Sequence, residues 1–210
     1  MIANSLMNAV WIRKDKIKEN TRIKLYKSLV KSILLYYCGT WCLNEHEEDM
    51  LDAHHRKQLR RVLNINYPTK IRNERLYEIC NEIPISITIL KARFKLFGHI
   101  LRRYKDIPAN KIMEFYFTKI NPTDKNFKGS ERTNLPSTLA RDLDTLHNKT
   151  RPLSLHDHTY DKSTVPKLRP LEDLKELRKI AQNRNEWKDL SRNIITARQA
   201  EEAIVSSAET

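Results

Sequence analysis

Residues 94–106 read FKLFGHILRRYKD. Phe94, Phe97 and Leu101 recur at helical spacing, with Leu90 one turn earlier, so one face of this segment is apolar. Lys91, Lys95 and Arg102 form a second row at i, i+4 and i+11, and Gly98 completes it at i+7. A glycine inside a helix costs about 1 kcal/mol against alanine. Its place among cations predicts close approach by another backbone. His99 and Arg103 lie beside the row. The spacing predicts a long amphipathic helix over about Ser86 to Tyr104, opened at the boundary that Pro84 marks.

Moving toward the N-terminus, the same texture continues. In TRIKLYKSLVKSILLYY, Leu25, Leu29, Ile33 and Tyr36 recur at helical spacing, with Lys24, Lys27 and Lys31 opposite. EEDMLDAHHRKQLRRVL predicts a helix over about Glu47 to Leu63, with acids at its start and bases at its end, as the helix dipole favours. On its wheel Arg56, Lys57, Arg60 and Arg61 share one side, and Leu51, Leu59, Val62 and Leu63 take the arc behind them. NERLYEIC adds a short helix. With 3 Gly in 210 residues, turn-rich β folds and glycine-rich phosphate loops are excluded. The fold class is all-α.

Moving toward the C-terminus, the texture changes near residue 108. Residues 119–170 hold five prolines and many Ser, Thr, Asn and Asp, so a loop-rich connector over 108–170 is expected, with a turn or two of helix in STLARDLDTL. A helical tail follows over 171–210, with apolar spacing at Leu174, Leu177, Ile180 and Ala181. The expected domains are a basic helical bundle over 1–107, this connector, and the tail.

Charge is the strongest compositional signal. The chain has 39 Lys and Arg against 26 Asp and Glu, a net charge of +13, and residues 1–105 hold 21 of the bases but only 10 of the acids. A surplus confined to one half points to a polyanion-docking face rather than to general solubility. Solvated helix faces are the plainer reading of any single row. Three such helices with few opposing acids favour phosphate contact, with counterion release supplying most of the binding free energy. No zinc finger or ribonucleoprotein aromatic motif is present to read bases. No apolar run reaches the ~18 residues that a membrane span needs. The N-terminus lacks a signal peptide's apolar centre. Together with 3 cysteines, an odd number that suits a reducing compartment, this leads to the expectation of an intracellular chain, nuclear or cytoplasmic, and not secreted.

Smaller signals have bland counterparts. Cys38 and Cys42 with His54 and His55 fit no common zinc spacing and read better as packing thiols. His156, Asp157 and His158 form a metal-capable or acid–base cluster, or else an exposed polar turn. Ser154 and Ser163 lack a nucleophile elbow. Trp41 and Trp187 are core or edge anchors, with base stacking as the alternative.

LYKSLVKSILLYYCGTW, LRRVLNI, RFKLFGHILRR and LEDLKELRKIAQNRNEWKDL occur in this order along the chain. In that order and spacing they resemble the C-terminal part of reverse transcriptases from non-LTR, LINE-type retrotransposons, the thumb and downstream tail that follow the polymerase palm. The likeness runs from Trp11 to Trp187. Tyr37 and Gly39 stand where that family usually has Gly and Glu, and Ser32 where it often has Pro. The resemblance implies a parent RNA-directed DNA polymerase with paired magnesium ions held by an Asp-Asp turn. No Asp-Asp dipeptide occurs here, so the chain is expected to be non-catalytic and to hold no cofactor of its own. It implies a helical thumb gripping an RNA and DNA template–primer duplex, alongside the parent's palm and fingers. The expected contacts are Lys24, Lys27, Lys31, Arg56, Lys57, Arg60, Arg61, Lys91, Lys95, Gly98, His99, Arg102 and Arg103. A host-retained helical scaffold and a degenerate remnant without activity are the alternatives.

Overall fold

A computed structural model describes Trp11 and residues 16–118, 135–147 and 171–208. The described residues are all-α, with no strand among them. None of their helices is long and apolar enough to cross a membrane. The chain divides into two compact units, Met1–Cys38 with Glu45–Ile89, and Gly39–Asn44 with Leu90–Thr210.

In the first unit, α1 (Glu19–Leu25) runs on into a π-helical segment, Tyr26–Lys31, and a last α turn, Ser32–Leu34. The buried positions are Arg22, Ile23, Tyr26 and Val30. The apolar row read from the sequence is therefore not the core face. Leu25 is half-buried, while Leu29, Ile33 and Tyr36 are 44%, 64% and 72% exposed. Both rows keep a spacing of four, so the period alone does not choose between them; the face that carries Tyr26 and Val30 joins the core with Leu59 and Leu76.

α2 (Glu45–Leu63) begins with Glu45, Glu47 and Glu48 and ends with Arg60 and Arg61, the charge order the helix dipole favours. It stops where Asn64 turns left-handed at φ 58, with Ile65 N–H donating to the Arg60 carbonyl at 2.8 Å. Leu59 and Val62 are buried as expected, while Leu51 and Leu63 are half-buried. The rest of the inward face is polar: Glu48, Asp52, His55 and Gln58. α3 (Asn73–Cys80) ends at Asn81, left-handed at φ 47. The core joins Trp11, Ile23, Tyr26 and Val30 to Leu59, Val62, Leu76 and Cys80.

α4 (Ile85–Arg102) starts where an α2 side chain caps it. The Asp52 carboxylate accepts from the backbone N–H of Ile85 at 2.5 Å and of Ser86 at 3.1 Å, satisfying two of the donors a helix start leaves open. The division between units falls inside α4, between Ile89 and Leu90, and not near residue 108 where composition changes.

The second unit explains that difference. Leu90, Phe94, Phe97 and Leu101 are buried with Met113 of α5 (Pro108–Thr118) and Leu139 and Leu143 of α6 (Leu135–His147). Leu174, Leu177 and Ala181 of α7 (Leu171–Gln182) and Trp187, Leu190 and Ile194 of α8 (Arg184–Ala208) complete the cluster. Each Leu, Ile, Phe or Met side chain of this set, fully buried, contributes about 1.5–3 kcal/mol. The expected connector is thus helical at 108–118 and 135–147, since both segments carry residues of this core. Its remainder, 119–134 and 148–170, lies outside the described residues. Pro108 sits at the first position of α5, where its missing N–H costs nothing.

Candidate nucleic-acid interface

The expected cations divide between the units. In the first, Lys24 is exposed. Lys27 and Lys31 turn inward, which corrects their reading as a free row. Both are ion-paired to Glu82, Lys27 at 3.3 Å, and Lys27 Nζ also donates to the Asn81 carbonyl at 2.7 Å. The left-handed Asn81 makes this geometry. Its turn lets Glu82 N–H reach back to the Tyr77 carbonyl at 2.9 Å and aims the Asn81 carbonyl at the lysine.

Behind Glu82 lies His55, fully buried, with Nδ1 2.8 Å from the Tyr26 hydroxyl and Nε2 3.9 Å from the Glu82 carboxylate. Burial pushes the His55 pKa down to about 4, against the pull of the Glu82 charge, with Lys31, His54 and Arg56 adding to the fall. Burial, then Glu82, drives the Tyr26 hydroxyl upward. The imidazole is therefore a neutral packing group at neutral pH. Cys80 is buried, and burial lifts its thiol to about 11. Among the described residues no cluster of His, Cys, Asp or Glu is placed to hold a metal ion. His156, Asp157, His158, Ser154 and Ser163 lie outside them.

On α2, Lys57 and Arg61 are exposed. Arg56 is half-buried and its charge lowers the pKa of Asp52, opposing the larger upward push of burial. Arg60 is committed elsewhere, with Nη2 donating to Asn73 Oδ1 at 2.7 Å and to the Ile71 carbonyl at 3.4 Å. Two of the four arginines and lysines on this side are thus free to meet an anion.

The second unit holds the longer row. α4 carries no Asp or Glu over its whole length. Lys91, Lys95 and His99 are exposed at a spacing of four, about 6 Å of rise each; just past the helix Arg103 is exposed too, its Nε donating to His99 Nε2 at 3.4 Å. Arg93, on the same helix, is buried against Asp142 of α6 at 2.5 Å. Arg102 and Gly98, placed in the row by their spacing, turn the other way. Arg102 Nη1 donates to the Ala181 carbonyl at 3.2 Å. Gly98 is buried under the indole of Trp187, where a Cβ would stand 2.4 Å from Nε1. The close approach predicted at Gly98 is made from within the chain, by a side chain. Trp187 is correspondingly a core anchor.

Beyond Arg103 the exposed surface continues through Tyr104 and Lys105, which the sequence reading left as a helix end. Asn110 of α5, fully buried, orders this turn. Its Nδ2 donates to the carbonyls of Ile100 at 2.8 Å, Arg103 at 3.1 Å and Tyr104 at 3.0 Å, the acceptors a helix end leaves open. The signal in the sequence was an aromatic residue set between two cations. Compared with known proteins, the chain matches no family model, no curated protein and no solved structure.

Proposed function

We propose that the chain binds the sugar–phosphate backbone of nucleic acid, as the non-catalytic thumb and tail of a LINE-type reverse transcriptase binds a template–primer duplex. One observation carries the reading: the exposed row Lys91, Lys95 and His99 on a helix without a single acidic residue, continued by Arg103 just past its end. Lys91, Lys95 and Arg103 in such a row replace condensed counterions on phosphates, and the release of those ions drives association without regard to base sequence. Lys57 and Arg61 of the first unit provide a second, smaller set. The left-handed φ of 55 at Tyr37 lends the resemblance support, since it falls where the family usually has glycine. No step of polymer chemistry is assigned to this chain.

The test is fluorescence anisotropy with a labelled blunt RNA–DNA duplex at two salt concentrations. Reversing Lys91 and Lys95 to Glu weakens binding on every sequence and flattens the salt dependence, each lost contact removing about 0.9 from the slope of log affinity against log salt. Reversing Lys179 and Lys188, exposed on α7 and α8, has a smaller effect. Unchanged affinity in the α4 variant, with its circular dichroism intact, overturns the proposal.

A second reading, a helical scaffold that docks protein, is favoured by the exposed apolar row Leu29, Ile33 and Tyr36. It requires little duplex binding at physiological salt and no difference between the two charge-reversed variants.

A further inference from the structure

The end of α4 combines three features that backbone binding alone does not call for. Tyr104 is 84% exposed, which leaves almost the whole phenol ring in water. It stands between two exposed cations, Arg103 and Lys105, at the end of the row that begins at Lys91. The turn carrying it is held by the buried Asn110 amide through three backbone carbonyls. An exposed aromatic side chain on a loose loop is ordinary. Here the backbone beneath it is fixed, so the ring is presented at low cost in ordering. The one acid of the turn, Asp106, lies 3.9 Å from the ammonium of Lys111 and is partly offset by it.

We infer that Tyr104 is a stacking platform for an unpaired nucleobase, and that the ligand of this surface is a duplex continuing into a single strand. The inference rests on the proposed backbone-binding function and adds a ligand class to it. Phosphates of the strand track Lys91, Lys95, His99 and Arg103, and the first unstacked base closes on the Tyr104 ring. Stacking accepts any base, because every base has a π face, and cations beside the ring hold the strand near it. The role fits the absence of any base-reading motif.

The experiment compares three labelled RNA–DNA duplexes on the full chain: blunt, with a short single-stranded overhang, and with an abasic overhang that keeps the phosphates. Wild type binds the overhang duplex more tightly than the other two. Tyr104→Ala loses about five-fold or more on the overhang duplex and little on the blunt one. Tyr104→Phe, which keeps the ring, retains the preference. Tyr67→Ala removes another tyrosine, 90% exposed but flanked by Asn66 and Pro68, and also retains it. Salt-dependent binding with no preference for a base-bearing overhang, or a preference that survives Tyr104→Ala, overturns the platform and leaves the backbone reading standing. Absence of binding to all three duplexes overturns both.

Discussion

Gly98 and Trp187 occupy complementary space. The indole lies over the face of α4 that Gly98 leaves bare, and its Nε1–H donates to the Phe94 carbonyl at 3.0 Å. The Phe94 and Trp187 rings sit 5.9 Å apart, so the same indole closes the core between α4 and α8.

Gly98→Ala gains roughly 1 kcal/mol of helix propensity. It also places a methyl group 2.4 Å from the indole nitrogen, an overlap whose relief costs about 1–3 kcal/mol. A net loss of stability in urea denaturation is expected. Trp187→Ala is more severe, about 3–5 kcal/mol, since it empties the site and removes the donor. A stabilised Gly98→Ala protein would contradict this packing.

Asp52 joins two helices through a cap that is remote in sequence. Asp52→Ala leaves the Ile85 and Ser86 amides without their acceptor and is expected to cost about 1–2 kcal/mol. Asp52→Asn keeps a side-chain oxygen and costs less. Equal losses in thermal denaturation of the two variants would show that the carboxylate charge, not the cap, matters.

His55 sets an acid limit on stability. Its pKa is held near 4 in the folded protein, below the ordinary 6.5, so the unfolded chain binds the extra proton between those values. Stability from this group is complete above about pH 6.5, falls as pH drops toward 4, and levels below; each pKa unit is about 1.4 kcal/mol. Asp52, pushed up by burial, works in the opposite direction at the acid end. His55→Gln is expected to flatten the fall between pH 6.5 and 4, as read from urea midpoints across that range. A wild-type slope retained in His55→Gln would assign the acid lability to other groups.

Tyr37 holds a left-handed backbone at φ 55 with its ring 70% exposed, edge-on to Tyr36 at 4.7 Å. A β-carbon in that region costs about 1–2 kcal/mol, which glycine avoids. Glycine's greater freedom in the unfolded chain returns part of it. Tyr37→Gly is expected to stabilise the protein by up to about 1 kcal/mol in a denaturant titration. A destabilised variant would mean that the Tyr37 side chain contributes more than its backbone costs.

Incubated with primed RNA, deoxynucleotides and magnesium, the chain is expected to extend no primer, since it contains no Asp-Asp pair to hold two metal ions. Extension abolished by a substitution in this chain would refute the non-catalytic reading.

The sequence by itself determined the all-α class and the order of α2, α3, α4 and α7, but neither α5 nor the full extent of α6, which fall in the stretch expected as a loop-rich connector. α2, α4 and α7 were legible because their apolar residues keep a regular period, and Pro84 marked the start of α4. The inward row of α4, Leu90 to Leu101, was legible for the same reason. Which cations stay free was decided only by tertiary structure. Lys27 and Lys31 look like Lys91 and Lys95 on a wheel, but Glu82, some fifty residues away, takes the first pair, and among the described residues no acid pairs with the second. The turned face of α1 and the occupied space at Gly98 have the same origin. Leu59 and Leu76 cover the side that carries Tyr26 and Val30, and an indole from α8 arrives from 89 residues downstream. Periodicity reports which residues share a side of one helix; what covers that side is set by partners distant in the chain.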